Sequence, residues 1–259
     1  MTIKKYEFYK SEAKSIKGRT LFRIRALVDI HLHRVKAGDF GGFIEREENL
    51  SHEGNAWVAG GSAVYGSGMI SRNALIAGEA IVSDSNVYGD IAIEGRAQVS
   101  HSTIKGSGFN IMGDALVGNV DIEVENGFII GKTTLKNVFG RNKLTMFTME
   151  DDAQVVGQID KHLLMGGDNI TISGNAKILH AYAILGSNIT ITDDVSVAEG
   201  VTIHGKKIHL ADYASIVGRV TLRDNLSVSD LGHICSPQGT SQVGNMKISG
   251  DSVLDACSL

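Results

Sequence analysis

Proline, cysteine and long apolar runs are scarce in this chain, and each scarcity excludes a class of protein. There is one proline among 259 residues, and there are two cysteines, Cys235 and Cys257. Two thiols cannot form a disulfide framework, which excludes a small disulfide-stapled scaffold. No run of 18 apolar residues occurs, and the start, MTIKKYEFYK, lacks the apolar core of a secretory signal. We therefore expect a cytoplasmic protein with no membrane partner.

Glycine is abundant, and an internal repeat explains its abundance. The chain has 31 glycines. Five stretches of the carboxy-terminal half align in one column with a period of roughly 19 residues, beginning at Ile170, Ile189, Ile208, Leu226 and Met246. A repeat of this length is typical of a coil that stacks on copies of itself. Glycine suits the corners of such coils, whereas proline would delete a hydrogen-bond donor from the strand ladder.

A shorter period lies inside each coil. Aliphatic residues recur at steps of six or seven, and each has a small or apolar partner two positions earlier, as in Val195 with Val197 and Ala214 with Ile216. Residues two apart lie on the same face of a strand, so we expect these pairs to point inward. Three pairs per coil predict three short faces. The amino-terminal half repeats the pattern in rows that begin at Ala56, Ala74, Ile91 and Phe109.

These steps produce a motif that resembles a known repeat. IAGEA from Ile76, VAEGV from Val197 and LADYA from Leu210 resemble the hexapeptide repeat of left-handed β-helices, which are best known from acyltransferases. The pattern covers roughly four fifths of the chain. The resemblance implies an all-β fold, a left-handed three-sided parallel β-helix. A right-handed triangular solenoid of the bactofilin kind is the alternative.

A second resemblance lies upstream. FRIRAL from Phe22, VKAGDFGGFIE from Val35 and ENLSHEGNAWV from Glu48 resemble the first segment of a group of phage, prophage and bacterial β-solenoid proteins, including the YdcK-like ones, provisionally catalogued as acyltransferases. We expect residues 1–50 to form a basic cap with short strands, with a turn at GDFGGF from Gly38. Residues 51–259 form the solenoid, with irregular insertions near 131–150 and 231–245.

The charge of the chain is unevenly distributed. Through Lys36 there are ten lysines and arginines against three acidic residues, a balance of +7, and the remainder has 15 against 26, a balance of -11. One interpretation is that the basic segment binds an acidic partner through Arg19, Arg23 and Arg25. A protein is the favoured partner, and nucleic acid is the less favoured one. The alternative is a solvated cap that docks on its own acidic solenoid.

The first predicted insertion combines basic and apolar side chains. Loops that leave a solenoid from one face often carry binding residues. The alternative is an irregular coil whose aromatic side chains enter the core. The candidate partner-binding residues of this segment are Lys132, Lys136, Phe139, Arg141 and Lys143.

An apolar stripe is expected on the outside of the first coils. Residues between the two inward members of each pair point outward, and in the first coils they are apolar. An exposed apolar stripe predicts subunit contact, in a dimer or a trimer. The alternative is that the cap folds back over it. The stripe consists of Trp57, Ala63, Met69, Leu75 and Ile81.

The sequence contains no motif that identifies a catalytic residue. Acyl transfer needs a general base, most often histidine, and the candidates are His101 and His162. We predict no cofactor and no metal site, since the row positions of His180, His204 and His209 put them on different faces. The favoured function is a noncatalytic binding or structural solenoid, a phage or prophage accessory protein that engages a host macromolecule. The alternative is a hexapeptide-repeat acyltransferase that uses acyl-CoA at a subunit interface.

Overall fold

The computed structural model shows a β-solenoid built from parallel stacked strands. The structure describes residues 3–140, 144–157, 163–165, 169–181, 183–198, 200 and 202–255. Helical geometry in this described part is confined to two 3-10 turns, His31–His33 and Glu47–Asn49. The chain divides into two compact units, Met1–Asn119 and Val120–Leu259, and we describe each by itself.

The first unit begins with an antiparallel cap. Its strands are β1 (Tyr6–Ile16), β2 (Arg19–Ala26) and β3 (Phe40–Ile44). β1 pairs with β2 in a hairpin, and β2 pairs with β3. The other edge of β3 runs parallel to the first coil, with Phe43 beside Ala63 and Ile44 beside Val64. The cap therefore pairs with a backbone edge that an open solenoid end would expose.

Each coil of the first unit has three strand segments, one on each face, and some strands run across a corner into the next coil. Every strand pairs in parallel with the strand one coil further, so that Trp57 lies beside Leu75, Ala63 beside Ile81, and Ile70 beside Val87. This three-strand repeat confirms a three-sided parallel solenoid. The strands are β4 (Trp57–Val58), β5 (Ala63–Tyr65), β6 (Ile70–Arg72), β7 (Leu75–Ile76), β8 (Ile81–Ser83), β9 (Asn86–Ile93), β10 (Gln98–Ser100) and β11 (Thr103–Ile111), and β12 (Leu116–Ile129) contains the division between the units.

The predicted inward pairs form the core of this unit. Val58, Ile76 and Ile93 lie in register on successive coils, and all three are fully buried. At about 1.5 to 3 kcal/mol for each large side chain, burial of such columns is the main favourable contribution to folding. Each coil pairs with the coils on either side of it, so the core is completed only when the coils stack.

The predicted turn at GDFGGF is confirmed only at its first residue, because Gly38 lies in a turn with φ of 95° and Phe40–Ile44 is a strand. Its glycines let the strand approach the first coil closely. A Cβ on Gly41 would lie 2.7 Å from Cζ2 of Trp57, and one on Gly42 would lie 2.6 Å from the carbonyl oxygen of Ser62. Glycine at positions 41 and 42 therefore allows this strand to pack against the first coil, where a larger residue would clash.

The second unit repeats the same ladder. Ile172, Ile191, Leu210, Val228 and Ile248 form one inward column in parallel register. Its strands are β13 (Thr134–Gly140), β14 (Leu144–Met149), β15 (Gln154–Gly157), β16 (Leu163–Met165), β17 (Thr171–Ile172), β18 (Lys177–Ala181), β19 (Ala183–Gly186), β20 (Thr190–Ile191), β21 (Ser196–Ala198), β22 (Thr202–Gly205), β23 (His209–Leu210), β24 (Ser215–Arg223), β25 (Ser227–Val228), β26 (His233–Gly244), β27 (Lys247–Ile248) and β28 (Val253–Asp255).

In the part of the two predicted insertions that the structure describes, the chain stays in the ladder. β13 and β14 fall inside residues 131–150, and Leu135 and Phe147 are buried. The coils are longer here, because Val138 pairs with Leu163, 25 residues later. Because of this length, the sequence repeats no longer align in a column, although the strands of successive coils still pair. The interruption at 231–245 is reduced to a bulge in β26, where residues 237–239 are skipped in the register with β24. The single proline, Pro237, lies in this bulge, where no ladder donor is lost.

At one corner of the second unit, aspartate side chains form hydrogen bonds between successive coils. Asp151, Asp193, Asp212 and Asp230 all have left-handed backbone angles, with φ between 56° and 60°. The carboxylate of each accepts a hydrogen bond from the backbone N–H of the corresponding residue one coil further, at 3.0 to 3.3 Å, and the last donor in the series is the N–H of Gly250, which donates to Asp230. Aspartate tolerates the left-handed conformation better than most residues, and its side chain satisfies a donor that faces the corner. We call these four residues the aspartate corner.

Candidate binding surface on the amino-terminal cap

The cap sheet brings charged and aromatic side chains into two rows. Cross-strand pairing places Glu7 beside Arg25 and Arg25 beside Phe40 in one row. The second row places Tyr9 beside Arg23 and Arg23 beside Phe43. Side chains two apart on β2 share a face, so both arginines project from the same side of the sheet. We call this set, Glu7, Tyr9, Arg23, Arg25, Phe40 and Phe43, the cap face.

The arginines of the cap face stack on its aromatic rings. The guanidinium carbon of Arg23 lies 5.1 Å from the ring centre of Phe40 and 5.9 Å from that of Phe43. The guanidinium of Arg25 lies 6.0 Å from the ring of Tyr9, which in turn contacts Phe40 at 4.9 Å between ring centres. Such contacts contribute about 0.5 to 1 kcal/mol each at exposed sites and hold the guanidinium planes in fixed orientations.

Each arginine also has a carboxylate partner within its own chain. Arg19 donates to Glu45 at 2.8 Å, Arg23 donates to Glu12 at 2.5 Å, and Arg25 Nε donates to Glu7 at 2.9 Å. The backbone N–H of Gly66 and the guanidinium of Arg19 together lower the pKa of Glu45. The three arginines predicted to bind an acidic partner are therefore already ion-paired, and their partners lie in the cap itself rather than in the acidic solenoid.

The cap face is reachable from solvent. Phe40 is 44% exposed, and the side chains of Arg25 and Glu7 are 43% and 41% exposed. Aromatic residues and arginine are the types enriched where proteins bind one another, because they combine large contact area with directed hydrogen bonds. Sequence reasoning found the arginines but missed Tyr9, Phe40 and Phe43, whose proximity depends on strands that are distant in the sequence.

The apolar stripe predicted as an oligomer interface is largely covered by the cap. Trp57 is only 1% exposed, and Ala63 is fully buried in a cluster with Leu21 and Tyr65. Ile81 packs against the same cluster. The prediction that Trp57 and Ala63 face another subunit is therefore wrong, because the chain's own cap occupies that side of the coils. Leu75 remains half-buried and Met69 remains 43% exposed.

A buried anchor fastens β1 to the first coil, and sequence reasoning missed it. The hydroxyl of Tyr6 lies 2.9 Å from the carbonyl oxygens of Glu47 and Leu50, and its ring stacks on His52 at 4.4 Å. Lys5 is 3% exposed, and its ammonium donates to the Gly54 carbonyl at 3.3 Å. Burial lowers the pKa of Lys5 to about 8. An amine with this pKa could serve as a base, but enclosure makes it a structural anchor.

His101 does not have the surroundings of a catalytic base. Its side chain is 71% exposed, and its Nε2 lies 3.9 Å from Oδ2 of Asp84, which is too long for a hydrogen bond. Asp84 instead accepts the N–H of Ser67 at 2.9 Å, which is the main cause of the lowered pKa of this carboxyl group. A triad-like arrangement would require the carboxylate to orient the imidazole.

The other predicted binding residues belong to the second unit. Lys132 is exposed and Lys136 is half-buried on β13. Phe139 also lies on β13, but its side chain is outside the described part of the structure. Arg141, Lys143 and His162 lie outside the described residues altogether.

No family model matches the chain, and the search of curated proteins finds no match. Among the described residues, no helix has the length and apolar character needed to cross a bilayer.

Proposed function

We propose that this protein is a noncatalytic binding solenoid and that the cap face is its contact surface for a protein partner. The observation that carries the proposal is the exposed ring of Phe40, stacked with Arg23 and Tyr9. Stacking fixes these side chains before any partner arrives, so binding costs less conformational entropy than it would with free arginines.

The ion pairs favour a protein over nucleic acid. A nucleic-acid surface derives its affinity from free lysines and arginines that replace counterions along the phosphate backbone. Glu7 of the cap face and Glu12 of β1 compensate the charges of Arg25 and Arg23. The face therefore offers apolar rings and directed hydrogen bonds rather than excess positive charge, which matches the mixed chemistry of protein interfaces.

The sequence resemblance supplies the biological part of the proposal. The residues that resemble phage, prophage and bacterial β-solenoid proteins include FRIRAL and VKAGDFGGFIE, which contribute β2 and β3 of the cap. We place the chain among these phage-type solenoids, with a host protein as the partner. The proposed assembly is a dimer or a trimer. Met69 and Leu75 are its proposed contact residues, because the cap does not bury them fully.

A matched pair of substitutions tests the contact surface. Phe40→Ser removes an exposed ring that stacks with an arginine. Tyr88→Ser removes an equally exposed ring, 42% against 44%, that stacks with Arg72 at 4.9 Å on the coils of the same unit. Purified tagged protein is incubated with host lysate, and captured proteins are quantified by mass spectrometry.

We expect Phe40→Ser to reduce capture of specific partners about tenfold, in line with the loss of an interface hot spot, while Tyr88→Ser leaves capture unchanged. Equal capture by both variants would refute the cap face as the contact surface. The acyltransferase alternative is tested separately by calorimetric titration with acetyl-CoA. Saturable binding of the thioester would overturn the noncatalytic assignment.

A further inference from the structure

A polar pocket opens at a second corner of the second unit. Its volume is about 430 Å³. Asn188, Lys207, Asn225 and Asn245 follow one another up successive coils, because the strands that begin two residues later are paired in that order. Ser187, Lys206 and Asp224 form a second column beside the first. We call this the lysine corner.

The two lysines supply the charge of the pocket. Lys206 and Lys207 are both exposed, and the structure gives neither an ion pair among the residues it describes. With Asp224 as the one carboxylate in the lining, the pocket has an excess of one positive charge. Amide groups of three asparagines and the hydroxyl of Ser187 surround this charge with further hydrogen-bond donors.

Lysine is an unusual residue type for the left-handed backbone conformation found at positions 206 and 207. Lys206 and Lys207 have φ of 64° and 65°, two consecutive left-handed residues. One coil earlier the same conformation is adopted by Ser187 and Asn188, with φ of 63° and 69°, and one coil later Asp224 has φ of 58°. Asparagine and aspartate fit this conformation, whereas lysine is disfavoured there. Residues such as Arg72 and His101 also occupy single left-handed positions.

The residues of the aspartate corner do not line this pocket. The N–H of Asp212 donates to the carboxylate of Asp193, so this carboxylate forms a hydrogen bond to the next coil. Lys207 precedes and Asp212 follows β23 (His209–Leu210), so one face of the coil separates the two corners.

We infer that the lysine corner binds a phosphate or sulfate monoester group. Two ammonium groups with amide and hydroxyl donors complement a tetrahedral oxyanion. A cation is excluded by the paired lysines, and a neutral sugar would need an aromatic platform, which is absent from the residues that line the pocket. The site is independent of the cap face.

The test uses the intact protein and four small probes. Inorganic phosphate, inorganic sulfate, phosphoserine and glucose 6-sulfate are titrated at low ionic strength, and binding is followed by backbone and asparagine side-chain amide NMR shifts. We expect saturable shifts at Asn188, Asn225 and Asn245. The two esters show whether the site favours phosphate or sulfate.

Substitution separates binding from folding. Lys206→Asn with Lys207→Asn replaces both lysines by a residue that suits the left-handed backbone, so stability should stay equal or rise. We expect the affinity for phosphate to fall about fivefold for each lysine removed. Lys177→Asn removes an exposed lysine from β18 of the same unit and should leave affinity unchanged. Unchanged affinity in the double variant, or an equal loss in Lys177→Asn, would overturn the assignment.

Discussion

Replacement of Asp212 should separate the two ways in which the aspartate corner stabilises the second unit. Asp212 has φ of 58°, and its carboxylate accepts the N–H of Asp230 at 3.0 Å. An exposed hydrogen bond of this kind contributes about 1 kcal/mol. A side chain such as alanine in the left-handed region costs about 1 kcal/mol more. Asp212→Ala should therefore lower the free energy of unfolding by about 2 kcal/mol.

Two further variants at the same position separate the contribution of the hydrogen bond from that of the backbone conformation. Asp212→Gly removes the hydrogen bond but relieves the backbone, so we expect a loss of about 1 kcal/mol or less. Asp212→Asn keeps both an acceptor oxygen and tolerance of the left-handed conformation, and should lose a few tenths of a kcal/mol. The expected order of stability is aspartate, asparagine, glycine and then alanine.

Urea unfolding followed by circular dichroism measures this order. With a slope of about 3 kcal/mol per molar urea, the alanine variant should unfold at about 0.7 M less denaturant than the wild type. Tyr213→Ala, at the adjacent and 64% exposed residue, is the control and should shift the midpoint little. An alanine variant as stable as the asparagine variant would show that neither the hydrogen bond nor the backbone angle contributes.

The corner also predicts an acid dependence. Hydrogen bonds from the Thr192 hydroxyl and from the Asp212 backbone lower the pKa of Asp193. A carboxyl whose pKa is lower in the folded state stabilises the fold above its unfolded pKa, and this contribution is lost as the pH falls through the folded pKa. The stability difference between wild type and Asp193→Asn should therefore shrink below about pH 4. A difference that stays constant down to pH 2 would contradict this origin.

Three other predictions address the core and the cap. Val195→Asp places an unpaired charge at a fully buried position and should abolish folding, whereas Ser196→Asp at the exposed neighbour should leave the thermal melt nearly unchanged. The pKa of Lys5 falls from 10.5 to about 8 on folding, so the unfolded chain binds more protons between these values. Stability should rise with pH across that window in the wild type relative to Lys5→Met, and parallel curves would contradict it. Gly41→Ala should displace the cap, seen as increased acrylamide quenching of the single tryptophan, Trp57.

The sequence predicted the coils because their inward pairs obey a strict local rule. A slip of one residue would turn a strand such as Trp57–Val58 inside out, so the pattern of apolar residues fixes the register. The rule failed over 131–150, where coils of 20 to 25 residues no longer align in a column although the strands still pair. It also placed Trp57 correctly on the outside of its strand, but could not show that the cap covers that side.

The candidate sites were harder to predict, because they depend on contacts between distant segments. Arg23 and Arg25 were identified from their charge, yet their ion pairs with Glu12 and Glu7 and their stacking on Phe40 arise only when the three cap strands pair. Strand pairing over such separations is not encoded in a local period. The lysine corner was missed for a related reason, since its columns combine residues from four successive coils.

A comparison of the two corners shows how function can be separated from stacking in a solenoid. Most positions are dictated by the need to continue the ladder, so a residue is informative when its type does not serve that need. Asp212 serves it, because its carboxylate and its left-handed backbone both complete the next coil. Lys206 and Lys207 occupy the same kind of backbone with side chains that stabilise no described neighbour through an ion pair. Selection for stability alone would favour asparagine there, as at Asn188 one coil earlier, so the lysines indicate a ligand.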